Sequence, residues 1–230
     1  MTEPCKSNDT LWELIVAHPS ILLVMNRFSL SLGVGDKTVH EICQEKKIDE
    51  QTFLAILNMT VLSDHYQVDP ATISLPTLIS YLKNAHHYFF NFRYPAIRQK
   101  LIDAIDQTDK KFYELMLRYY DEYVDALKQH TEYEEKSIFS LAASTTGSET
   151  GMQKPILGLQ RWHSQIELKM NELKNIIIKY FPSNDDASAL NLAVYDLFAC
   201  EEEFSIHCRI EDQLLTPAIQ INEQRKANKK

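Results

Sequence analysis

The chain has 230 residues, 44% of them hydrophobic, which is enough apolar material for one substantial core and a smaller one. With 5 glycines against 11 tyrosines and 10 phenylalanines it does not read as a loop-rich β protein, and a net charge of -8 with no basic face argues against nucleic-acid binding. No apolar run approaches the ~18 residues of a membrane span, and the opening MTEPCKSNDT lacks a secretory layout, so no membrane and a cytoplasmic location are expected.

Between Asn8 and Ser63 the text breaks into short helical pieces: TLWELIVAHP, SILLVMNRFSLSL, VHEICQEKKI after a GVGDKT turn, and a helix opened by Asp49 in DEQTFLAILNM. Apolar residues recur three and four apart, as in Leu11, Leu14, Ile15 and Val39, Ile42, Cys43, so residues 1–64 are expected to form a small helical domain. Residues 65–74 carry Pro70 and no helical period, and read as a linker. Four longer amphipathic stretches follow, at about Leu75 to Ile105 with Pro95 as a kink, Thr108 to Ala143, Lys154 to Tyr180 and Ala187 to Asn222. The expected fold is all-α: an antiparallel up-down-up-down four-helix bundle over residues 75–223, preceded by the small helical domain and followed by a basic tail at 224–230. Cys5, Cys43, Cys200 and Cys208 show no Cys-x-x-Cys spacing, so reduced, partly buried thiols are expected rather than a disulfide framework or a zinc ribbon.

The chemistry-bearing pattern is a histidine followed four residues later by a glutamate, which occurs as His130/Glu134 and again as His207/Glu211. On a helix such residues share a face about 5 to 6 Å apart, so each pair can present an imidazole and a carboxylate to one point. His163 lies on the third stretch, and His86 and His87 lie on the first. His86 is as well phased as His87 with Ile79, Leu82 and Phe89, and the residues alone leave that choice open. Histidines on all four stretches, with two glutamates, suit two first-row metal ions bridged by carboxylates better than a structural zinc, and iron is the expected metal. A ferritin-like site is excluded because no histidine has a glutamate three residues before it, and no His-Glu-x-x-His occurs.

These segments resemble the hemerythrin-like superfamily, specifically the repair-of-iron-centres di-iron proteins: HYFFNFRYP, HTEYEEKSIF, WHSQIELKMNEL and HCRIEDQLLTPA stand for the four motifs in order. A family histidine eight residues before a proline selects His87. The resemblance therefore implies a metal set of His87, His130, Glu134, His163, His207 and Glu211 holding two iron ions in an oxo-bridged non-haem centre. The first domain is similar to the one that precedes the bundle in that family, but Leu32 and Gly33 stand where the family carries a Cys-Cys pair. Thiol chemistry is thereby not expected of it, Gly33 and Gly35 serve the turn, and Cys43 serves packing. Where oxygen-carrying hemerythrins have a second histidine one turn beyond the third-stretch ligand, this chain has Glu167.

The resemblance implies repair or protection of iron-sulfur clusters damaged by nitrosative or oxidative stress. It would act through iron donation or nitric oxide chemistry, with damaged iron-sulfur proteins as clients and nitric oxide or oxygen as a small ligand. A hemerythrin-like module that senses or stores oxygen, nitric oxide or iron without catalysis is the alternative, so the residues leave open whether the chain is an enzyme.

Overall fold

The computed structural model describes residues 3–62, 66–105, 110–143, 149–180 and 188–227, and every regular element among them is helical. The expected helix starts at Thr108 and Ala187, the turn after Tyr180, and Lys229 and Lys230 of the basic tail lie outside these residues. Of the polar loop TTGSETG, residues 145–148 also lie outside, and from Glu149 onward the chain is already helical, ahead of the expected start at Lys154. The chain forms two compact units: chiefly Met1–Ala85 with Ile206–Lys230, and His86–Ser144 with Thr150–Ser205.

The first unit contains α1 (Leu11–Ala17), α2 (Ile21–Arg27), α3 (Val39–Lys46) and α4 (Glu50–Leu62). Local chemistry sets their ends. Thr38 and Glu41 form a reciprocal capping box at the start of α3, and Asp49 accepts the Thr52 N–H at 2.9 Å at the start of α4. Gly33 and Gly35 take φ of 87° and 58° in the turn before α3, a region that costs glycine nothing. A 3-10 turn at Pro70–Thr72 leads into α5 (Leu75–Tyr88). Phe28 packs its ring on Phe53 and on Tyr81 of α5, at 4.9 and 5.1 Å between centroids. The Asn84 amide donates to the Arg27 carbonyl at 2.7 Å. The end of α10 (Ser188–Ile210) and all of α11 (Thr216–Ala227) belong to this unit too, where Arg209 donates to the Met59 carbonyl.

The second unit contains the end of α5, then α6 (Tyr94–Ala104), α7 (Lys110–Tyr133), α8 (Ser140–Ala143), α9 (Glu149–Tyr180) and most of α10. Its four helical stretches run antiparallel, as the paired positions show. His86 meets Glu135, and Arg98 meets Asp121. His130 meets His163 while Glu122 meets Lys169, and Lys174 meets Glu201. Leu101, Leu127, Leu159, Leu173, Ala193 and Leu197 are fully buried between them. The ion pairs lie on the rim and hold register more than stability, each being worth about 0 to 1 kcal/mol. Tyr94, Tyr120 and Tyr123 fill the middle, and the buried Tyr120 hydroxyl donates to the Tyr94 carbonyl at 2.7 Å. No helix among the described residues is long and apolar enough to cross a membrane.

Three helices are interrupted by a π-turn, at Phe89–Arg93, Glu134–Phe139 and Glu211–Leu215. In the first and third the N–H that closes the turn bonds five residues back, Tyr94 to Phe89 and Thr216 to Glu211. A proline follows at once in both, Pro95 and Pro217. Proline lacks an N–H and its ring clashes with the carbonyl four residues before it, and widening the preceding turn relieves that conflict. Pro95 is therefore absorbed by a π-turn within a continuing helix.

Candidate metal centre

Two of the π-turns begin at a glutamate singled out in the sequence, Glu134 and Glu211, and the other begins three residues after His86. Single π-turns inside α-helices recur at functional sites, because the extra residue re-aims side chains that a regular helix would stack in line.

In the second unit Glu134 is fully buried. Its Oε2 faces two imidazole nitrogens, His86 Nε2 at 3.3 Å and His130 Nε2 at 3.5 Å. His130 is fully buried, and its ring lies edge-on to His163, 5.0 Å between centroids. A ligand nitrogen of His163 comes within 4.8 Å of one on His130. His163 itself is half-buried. Phe204 packs edge-on against His130 at 5.9 Å. In the first unit His207 and Glu211, both buried, touch through Nε2 and Oε1, and the half-buried Cys208 brings its Sγ within 4.8 Å of a Glu211 oxygen.

His86 takes the place that the motif register gives to His87. His87 is exposed, with its ring 6.0 Å from the exposed Phe92, whereas His86 is buried beside Glu134. The π-turn at Phe89–Arg93 adds one residue between histidine and Pro95, so the inward-facing histidine stands nine residues before the proline instead of eight. Leu78, Leu82, Ala85 and Phe89, all fully buried, share the inner face of the helix with His86. Glu167 is exposed. Glu135, whose carboxylate lies 2.8 Å from His86 Nδ1, was not legible as a site residue, since one glutamate beside another on a charged helix reads as solvated surface.

The donor set fits a metal. A buried carboxylate is costly without a compensating cation. Gaps of 3.3 and 3.5 Å are longer than a charge-assisted hydrogen bond of about 2.7 to 2.9 Å. They match the separation of neighbouring ligand atoms that each stand about 2.0 to 2.2 Å from one ion. Imidazole nitrogens with carboxylate oxygens are donors that suit iron.

Over 208 residues the chain is 19% identical to the iron-sulfur cluster repair protein ScdA of Staphylococcus haemolyticus (strain JCSC1435), a similarity covering 88% of this chain and 94% of that protein. Its reach exceeds the bundle and takes in much of the N-terminal segment. The family profile described as hemerythrin HHE cation binding domain matches residues 77–226, a span that contains every histidine and glutamate named above as a metal ligand. With buried histidines and glutamates on helices that break into π-turns, and a match over most of its length, this all-α chain belongs to the hemerythrin HHE cation-binding family.

Proposed function

We propose that the chain is a non-haem di-iron protein that repairs or protects iron-sulfur clusters damaged by nitrosative or oxidative stress in cytoplasmic client proteins. The ligands proposed are His86, His130, Glu134, His163, His207 and Glu211. The observation that carries this is the buried Glu134 carboxylate with two imidazole Nε2 atoms aimed at one of its oxygens. The similarity to ScdA, named as a cluster repair protein, supports the cluster as the object of the activity.

When bound, the iron pair would supply either iron for a depleted cluster or a redox-active place where nitric oxide could bind. The chain's residues set the conditions. Each histidine offers a neutral nitrogen, each glutamate an anionic oxygen, and Phe139 and Phe204 pack against the rings of His86 and His130 and keep water from those sides. Exposed Glu167 adds no ligand, which keeps the proposed set at six protein side chains and leaves positions for a small ligand or for release of iron.

The test is metal analysis of protein reconstituted anaerobically with iron(II), followed by recovery of activity in a nitric oxide-damaged iron-sulfur enzyme. About two irons per chain are expected, with loss of at least one in His86→Ala and none in His87→Ala. Undiminished iron in His86→Ala would overturn the ligand set, and full iron without any recovery of the enzyme would overturn the repair activity and leave storage or sensing.

A further inference from the structure

The π-turn Glu134–Phe139 sets three of its residues around one imidazole. Glu134 Oε2 faces His86 Nε2 at 3.3 Å, and Glu135 Oε1 lies 2.8 Å from Nδ1 of the same ring. Phe139, the last residue of the turn, stacks on the ring face at 5.8 Å with planes 11° apart. The Ser140 hydroxyl donates to the Glu135 carbonyl at 2.9 Å, which fixes the backbone that carries both carboxylates.

A neutral imidazole has one N–H and one lone pair, and the hydrogen bond made by one nitrogen decides what the other offers. A carboxylate only accepts, so the 2.8 Å contact with Glu135 holds a proton on Nδ1, and Nε2 is the nitrogen left for a metal ion. Glu134 is completely buried, whereas the Glu135 side chain is 43% exposed and solvated. Neighbouring carboxylates thus have different tasks because one turn of helix gives them different surroundings.

Building on the reading of His86 as an iron ligand, we propose that Glu135 is its positioning residue, a carboxylate outside the metal's own ligands that fixes the tautomer and ring orientation in which His86 binds. Such outer partners raise ligand basicity, and their loss typically costs about 10- to 100-fold in metal affinity.

The experiment uses the full chain and the variants Glu135→Ala, Glu135→Gln and His86→Ala, with two readouts. Nitrogen-15 NMR of histidine-labelled, metal-free protein reports the His86 tautomer, and competition with a calibrated chelator reports iron(II) affinity. His86 is expected to carry a proton on Nδ1 in the parent and in Glu135→Gln, whose amide oxygen still accepts. In Glu135→Ala it is expected to move toward the Nε2–H form. Glu135→Ala should lose about 10- to 100-fold in affinity for at least one iron, and Glu135→Gln should recover most of that loss. Parent-like affinity in Glu135→Ala, or an unchanged tautomer there, overturns the positioning role. His86→Ala separates the two readings: if it loses iron while Glu135→Ala does not, only the positioning role fails, and if it keeps all its iron, the ligand reading beneath it fails as well.

Discussion

Cys43 lies on α3 at 1% exposure, and burial, with Glu50 and Asp49 adding repulsion, pushes its thiol from 9.0 up to about 12. A thiol held protonated is a poor nucleophile, so this residue packs and does not react. The shift also makes it a stability term with a definite sign. Between about pH 9 and 12 the unfolded chain releases a proton that the folded chain keeps, so the contribution is complete below pH 9 and is lost as pH rises through that window. The unfolding free energy of the parent in urea titrations is expected to fall more between pH 8.5 and 10.5 than that of Cys43→Ala, by no more than about 1.4 kcal/mol per pH unit. Parallel pH profiles in the two proteins would show that the thiol is accessible to water in the fold.

At the scale of elements the helices were legible and the π-turns were not. Apolar residues at three and four gave α1 to α4 and the long stretches of the second unit, and spacing of four linked His130 to Glu134 and His207 to Glu211. A π-turn adds one residue within five or six, too few to disturb a periodicity, and Pro95 and Pro217 were its only marks in the text. The first-stretch histidine shows the consequence: the count of eight from Pro95 selects His87, which is exposed, while the neighbouring His86 is buried. A π-turn behaves as a one-residue insertion in an α-helix, and that has a measurable outcome. Deleting exposed Gln213 from Glu211–Leu215 should close the turn into regular helix, leaving far-ultraviolet circular dichroism near the parent's while iron content falls by half or more. Deleting exposed Glu202 from the regular part of α10 should instead rotate everything beyond it by about 100° and abolish the cooperative melt. Equal damage from the two deletions would contradict the insertion.

At the scale of the molecule, one compact unit is assembled from distant parts of the chain, Met1–Ala85 and Ile206–Lys230. A cavity of about 360 Å³ within it is walled by Met59, Tyr66, Gln67 and Val68 on one side of the sequence and by Gln213 and Leu214 on the other. A chain beginning at Ile73 lacks the first four residues, and lacks Phe28 and Phe53 from the aromatic cluster on Tyr81. The four-helix unit keeps its own buried core, so such a chain is expected to melt cooperatively, while amides in residues 206–227 exchange at least tenfold faster than in the full protein. Undiminished protection in 206–227 would show that the N-terminal helices are not their cover. The same unit imposes an order on biosynthesis. Arg209 reaches the Met59 carbonyl across 150 residues of chain, which a ribosome takes on the order of ten seconds to make. Through that interval Phe53, Ile56 and Leu57 are already synthesised and the C-terminal part of their unit is not. The His207–Glu211 pair is therefore put in place only after the N-terminal helices of its unit have been made.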